Sequence, residues 1–118
     1  MFFDCQSLVT APNIAATTLA YDCCYCMFVG CSSLVNAPSI LPAMILAENC
    51  YYMMFYDCEK LINLPELPAT TLAKGCYSAM FANCIALTTP PRLPATTLVE
   101  HCYYSMFSDC ESMMISDT

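Results

Sequence analysis

LPATTLAKGCYSAMFANC, residues 67–84, is the stretch from which the rest of the chain can be written, because nearly all of the sequence is this segment and its continuation copied with variation. The phrase Met-Phe-x-x-Cys closes it and occurs five times, starting at Met1, Met27, Met54, Met80 and Met106, with steps of 26, 27, 26 and 26 residues. A second column keeps step with the first. Leu19, Leu46, Leu72 and Leu98 are each followed four residues later by Cys23, Cys50, Cys76 and Cys102. The connecting phrase repeats as IAATTLA at 14–20, LPATTLA at 67–73 and LPATTLV at 93–99, with a degenerate LPAMILA at 41–47.

Self-similarity with a period of about 26 residues, inside the leucine-rich-repeat range, is the signature of a stacked solenoid. The chain reads as one unit, 1–118, with repeats at 1–26, 27–53, 54–79 and 80–105 and a partial repeat at 106–118. Hydrophobic residues make up 58% and charged residues 11%, the opposite of a disordered composition, so the chain is expected to fold. Pro, Asp, Asn and Thr interrupt every apolar run well short of the roughly 18 residues that cross a bilayer, so no membrane insertion is expected. A net charge of −7 with three basic residues leaves nothing to neutralise phosphates, so nucleic acid is excluded as a partner. Neither end carries a signal peptide or a polar cap, so a fragment of a longer array, or a unit capped by its neighbours, is expected.

Within the clearest repeat, Leu72, Cys76, Met80 and Cys84, flanked by Ala73, Tyr77 and Phe81, fill about half of a helical wheel, leaving Lys74, Gly75, Ser78, Ala79 and Asn83 on the other half. This predicts a helix buried on one side. Thr70-Thr71 suits its N-cap, and Pro68 stands outside it. After the second Cys, the segments Ser7–Thr10, Ser33–Asn36, Lys60–Asn63 and Ala86–Thr89 carry a Leu three residues past the Cys and β-branched neighbours, and a Pro follows at 12, 38, 65 and 91. This predicts one short strand per repeat. The expected architecture is therefore an α/β solenoid, a leucine-rich-repeat-like right-handed superhelix with one short parallel strand and one helix per repeat. Repeat two has an extra residue near Ser39 to Pro42 and Met44-Ile45 in place of the Thr pair, so a bulge and a lost cap are expected there.

The order Leu-x-x-small-Pro-x-Leu-Pro, a Thr-rich cap, then Ala-x-x-Cys-Tyr-x-x-Met-Phe-x-x-Cys-x-x-Leu, as in Met80 to Leu87, resembles the BspA-type leucine-rich repeat proteins of anaerobic bacteria and some protists. The resemblance covers essentially the whole chain and departs from the family in repeat length and in the added Cys of the Leu-Ala-x-x-Cys phrase. It implies a curved solenoid at the cell surface or in secretion, engaged in adhesion and protein binding.

Eleven cysteines at 9% of a short chain raise the question of a disulfide scaffold. The columns Cys5, Cys31, Cys58, Cys84, Cys110 and Cys23, Cys50, Cys76, Cys102 sit eight residues apart within a repeat, about 12 Å along a helix, which is beyond disulfide reach. Stacked free thiols packing as small hydrophobes are preferred to disulfides between neighbouring coils. The cluster Cys23-Cys24-Tyr25-Cys26 lacks the second ligand pair that zinc needs, and the single histidine, His101, lies three repeats away, so no metal is expected. Asp4, Asp57 and Asp109, with Asn83 and Gly30 at the equivalent position, read as turn residues rather than a calcium ladder. LPATT at 67–71 has no Gly after the Thr and recurs as a structural phrase, so it is not a sorting signal.

No nucleophile, acid or base stands at a unique position, so no catalytic residue and no cofactor is expected. The structural core columns are the leucines and cysteines named above. The contact face is expected at the strand-side positions Val9, Val35, Ile62 and Thr88, with Glu66 and Arg92 in the following turns. The expected function is a non-enzymatic leucine-rich-repeat scaffold for protein recognition or adhesion. The alternative is a structural unit that self-associates through its uncapped ends, stacking head to tail into a filament.

Overall fold

Three residues in each of the four described turn runs sit in the left-handed region of backbone space, and they decide how the chain folds. In the computed structural model, which describes residues 6–20 and 22–112, φ is positive at Asp22, Asn49, Gly75 and His101, at Cys26, Met53, Ala79 and Ser105, and at Gly30, Asp57, Asn83 and Asp109. Each set is one residue of the repeat, and the sets follow one another at four-residue spacing. A right-handed helix cannot carry such a residue every fourth position. The chain instead forms continuous runs of turns over 22–30, 48–57, 74–83 and 100–109.

The hydrogen bonds of the second run show the design. The N–H groups of Cys50, Tyr52, Met54, Tyr56 and Cys58 each donate three residues back, to Ala47, Asn49, Tyr51, Met53 and Phe55. The intervening N–H groups of Asn49, Tyr51, Met53, Phe55 and Asp57 donate out of the coil, to Lys74, Cys76, Ser78, Met80 and Ala82 of the next, at 2.9–3.1 Å. Carbonyls alternate in the same way, those of Glu48, Cys50, Tyr52, Met54 and Tyr56 accepting from the coil before. Every buried main-chain group must find a partner, and from Asn49 to Tyr56 each N–H and each C=O does so without a helical i to i−4 bond. Successive turns have the φ signs of type II and type I in alternation, so the local repeat is four residues.

Consecutive coils lie parallel, one on the next. Isolated bridges pair Thr10 with Asn36, Asn36 with Asn63, Ile40 with Glu66 and Ile45 with Thr71. The registers of 26 and 27 residues place the extra residue of repeat two between the Asn36 and Ile40 bridges. The body measures 37 × 33 × 20 Å, and its short dimension matches four layers at about 4.8 Å. Its radius of gyration, 13.1 Å, is close to the roughly 13.5 Å of a compact globule of this length.

The expected α/β solenoid of leucine-rich-repeat type is thereby overturned. Among the described residues there is no helix, and the segments expected as strands contribute only isolated bridges. The physical reason lies in the spacing. Leu72, Cys76, Met80 and Cys84 recur at four residues, a step that drifts about 40° per turn on a helix of 3.6 residues per turn. Alternating turns repeat at four with no drift, so the same residues stay on one side: Cys50, Tyr51, Met54, Phe55 and Cys58 are all buried.

Because each coil covers the last, like side chains stack into ladders. Phe28, Phe55, Phe81 and Phe107 stack at 5.2, 5.5 and 5.8 Å between ring centroids with planes within 9° of parallel. Tyr51, Tyr77 and Tyr103 do the same at 6.0 and 5.8 Å. Each such pair adds about 0.5–1.5 kcal/mol beyond the apolar area it buries. Leu34, Leu61 and Leu87 close the core behind them.

Candidate functional site

After each second Cys the chain leaves the turn run and extends, so side chains alternate between core and surface. Leu34 and Leu61 point inward and are fully buried, whereas Val35 is half-buried and Ile62 is 56% exposed. Val9 is 51% exposed and Thr88 is exposed. Main-chain bonds hold three members of this column side by side: Val35 donates to Val9 at 2.8 Å, and Ile62 donates to Val35 at 3.1 Å. The result is an apolar strip across the coils. Beside it runs a polar ladder, in which Asn36 Nδ2 donates to Thr10 Oγ1 at 3.1 Å and Asn63 Nδ2 donates to Asn36 Oδ1 at 2.5 Å.

Glu66 and Arg92, placed in the following turns, are exposed and share a groove of about 620 Å³ with Ile62. One wall is the coil-three segment Ile62 to Pro68, and the other is formed by Thr89 to Arg92 and Pro94 of coil four. The groove exists because pairing stops there. Coils two and three are bonded throughout this arm, through Ala37 to Asn63, Glu66 to Ser39, Leu41 to Glu66 and Leu46 to Thr71 at 2.9–3.1 Å. None of the equivalent main-chain bonds joins coil three to residues 88–98, although the turn runs of the same two coils remain bonded from Gly75–Glu100 to Asn83–Ser108. Two substitutions mark the loss of pairing at Thr88 to Pro90, where coils one and two are bonded, whereas the arm beyond is unpaired in coil one as well, residues 12–20 making no main-chain bond to coil two. Thr89 stands where Asn36 and Asn63 continue the amide ladder, and Pro90 stands where Ala37 and Leu64 pack, forming with Pro91 a stiff pair that restricts Thr89 as well. Sequence reading missed this groove, and Thr89-Pro90-Pro91 was its signal.

The core columns are placed as follows. Cys31, Cys58, Cys84, Cys50, Cys76 and Cys102 are buried, as are Leu46 and Leu72, while Leu19, Cys23 and Cys110 are half-buried. Leu98, in the outermost described coil, is 62% exposed. Cys5 lies outside the described residues, as does Asp4. All ten described cysteines are free thiols. Cys58, Cys84 and Cys110 donate Sγ–H to the carbonyls of Phe28, Phe55 and Phe81 in the preceding coil at 3.0–3.1 Å, so each thiol ties two coils together. Burial pushes the thiols of Cys50 and Cys84 up to about 12 and that of Cys76 up to about 11, and lifts Cys58 well beyond the usual thiol range. Such groups stay protonated and unreactive near neutral pH.

Cys23 and Cys24 lie 3.8 Å apart through their sulfurs, and Cys24 takes the place of Tyr51 in its column. Burial and the neighbouring Cys23 push Cys24 up to about 12. Among the described residues no group of three or more His, Cys, Asp or Glu is placed to hold a metal ion. Gly30, Asp57, Asn83 and Asp109 are turn residues with positive φ, and Asn83 Nδ2 donates to Asp57 Oδ1 at 2.6 Å. His101 is exposed, 3.8 Å from Glu100 and edge-on to the Tyr104 ring. No described helix is long and apolar enough to cross a membrane. No family model matches the chain, and neither a curated protein nor a solved structure matches it.

Proposed function

We propose that the chain is a non-enzymatic scaffold for protein recognition or adhesion, working at the cell surface or in secreted form. The observation that carries this reading is the apolar strip of exposed Val9 and Ile62 with half-buried Val35 between them, rigidly spaced by the coil register and continuous with the groove at Ile62. A flat row of β-branched side chains on a stiff support loses little entropy when it is covered. The thiols of Cys58, Cys84 and Cys110 and the side chains of Asn36, Asn63, Asp57 and Asn83 are occupied in holding coils together. The location rests on the resemblance of the Met80-to-Leu87 phrase.

The test is selection of random phage-displayed peptides on the immobilised chain, followed by anisotropy titration of the enriched sequences. Ile62→Asp and Val9→Asp should weaken binding at least about tenfold, while Tyr104→Asp on the turn run leaves it unchanged. Failure to enrich any peptide, or binding indifferent to both the strip and the groove beside Ile62, would refute the reading.

A second reading has its own support. The N–H groups of His101, Tyr103, Ser105, Phe107 and Asp109 donate no hydrogen bond among the described residues, and the carbonyls of Cys23, Tyr25, Met27 and Val29 accept none. These edges have the same two-residue spacing and opposite sense, which suits head-to-tail stacking of copies. Growth of particle size with concentration in light scattering, blocked by Tyr103→Pro, would establish it. A monomer at all accessible concentrations would dismiss it.

A further inference from the structure

The turn runs of coils three and four are bonded along their length, while the extended arms beyond them are not, so the two coils form a wedge that opens toward the contact face. Main-chain groups of coil three that coil two's pattern shows to be bonding positions face this wedge. They are the carbonyls of Ile62 and Pro65 and the N–H groups of Leu64 and Leu67, and none bonds another described residue. Asn63 Oδ1, which accepts no hydrogen bond among the described residues, ends the amide ladder at the same edge. The opposite wall presents Arg92, one of three basic residues in a chain of net charge −7, with no ion pair among the described residues.

We propose that this groove is a docking site for an extended peptide strand of a partner polypeptide, carrying an amide side chain at the Asn63 rung and a carboxylate facing Arg92. The inference rests on the recognition reading and deepens it by naming the site and the ligand's chemistry. An extended segment that adds to an open edge gains affinity from main-chain bonds and selectivity from alternate side chains. The strand that already pairs with the equivalent edge of coil two is Lys60 to Leu72, which places Asn63 on the amide rung and Glu66 at the level of Arg92. A strand of this pattern would continue the Thr10, Asn36, Asn63 ladder where Thr89 breaks it. Its carboxylate would meet Arg92, and the groove's volume falls within the roughly 300–1,000 Å³ of ordinary ligand sites.

The probe is the blocked, fluorescein-labelled peptide KLINLPELPATTL, titrated into the full 118-residue chain and read by anisotropy. Saturable binding is expected, weakened at least about tenfold by Leu64→Pro, which removes a donor aimed into the groove. Arg92→Glu, at an exposed position, should weaken it similarly, and a peptide with Lys in place of its Glu should regain most of the loss. Amide exchange at Leu64 and Leu67 should be fast in the free chain and slowed by the peptide.

Several results would overturn the proposal. Slow exchange at Leu64 and Leu67 in the free chain would mean that residues 88–98 close on coil three unaided. Dimerisation abolished by the same two variants would make the occupant a second copy. Peptide binding indifferent to both variants, or absent while display-selected peptides still bind the Val9 to Ile62 strip, would remove the groove and leave recognition standing. Absence of both would remove recognition as well.

Discussion

Replacing Ala79 by glycine separates the stacked-turn architecture from a helix by the sign of its effect. In a helix interior Ala→Gly costs about 0.8–1.0 kcal/mol. Here Ala79 has a φ of +52° at the third position of the type-II-like turn Tyr77 to Met80, with its N–H donating to Tyr104 at 2.8 Å and its carbonyl accepting from Ala82 at 3.2 Å. A Cβ in that region costs about 1–2 kcal/mol, all of which glycine removes. Against this stands the greater freedom glycine gives the unfolded chain, about 0.4–1 kcal/mol. The difference leaves Ala79→Gly neutral to stabilising, by about 0–1.6 kcal/mol, or up to roughly 6 °C in Tm for a chain of this size. Ala82, three residues on, is buried and is not among the positive-φ positions, so Ala82→Gly should lose about 1 kcal/mol or more. Urea denaturation followed by circular dichroism measures both. Destabilisation of Ala79→Gly by about as much as Ala82→Gly would refute the turn geometry.

Gly75→Ala should cost about 1 kcal/mol, since a Cβ at φ +65° is strained and would push aside the Asn49 side chain, and Asn49→Gly should recover part of that loss in a double-mutant cycle. Phe55→Ala, in the middle of the phenylalanine ladder, should cost about 3–5 kcal/mol in urea titrations, and Phe107→Ala, half-buried at its end, clearly less; equal costs would argue against a stacked core. The raised thiols of Cys50, Cys76 and Cys84 deprotonate more readily in the unfolded chain, so stability should be level below about pH 8.5 and fall as pH rises from there toward 11–12. Stability that is constant up to pH 10 would contradict their burial. In the native state at pH 7.5 these thiols should resist a maleimide that labels them all in denaturant.

The repeat and its register were legible in the sequence because stacking demands them: a ladder of Phe28, Phe55, Phe81 and Phe107 forms only if the spacing is kept within one residue. The surface placement of Val9, Ile62 and Thr88 could likewise be read from alternation about a buried Leu. The helix was a misreading of the local period. Cys50, Met54 and Cys58 occupy i, i+4 and i+8, which a helical wheel tolerates over two turns, and so the apolar pattern alone could not separate the two folds. The deciding signal lay in the residues between. Asp22, Asn49 and Gly75 in one column, and Gly30, Asp57, Asn83 and Asp109 in another, are the types that enter left-handed backbone at least cost.

The middle column, Cys26, Met53, Ala79 and Ser105, has no such preference, and it shows why stacking rather than local propensity sets this structure. Each of these residues bears a cost of about 1–2 kcal/mol that nothing local repays. Met53 and Ala79 are flanked instead by bonds that reach the next coil, Tyr51 to Cys76, Met53 to Ser78 and Phe55 to Met80 on one level, and Tyr77 to Cys102, Ala79 to Tyr104 and Phe81 to Met106 on the next. The strain is tolerated only where coils are paired, so conformation in one coil depends on the presence of another. The extended arm of coil four, without a single main-chain bond to coil three over residues 88–98, lies outside that mutual support. Like residues 12–20 of coil one, which make no main-chain bond to coil two, it can accept a strand from elsewhere without breaking a bond already made.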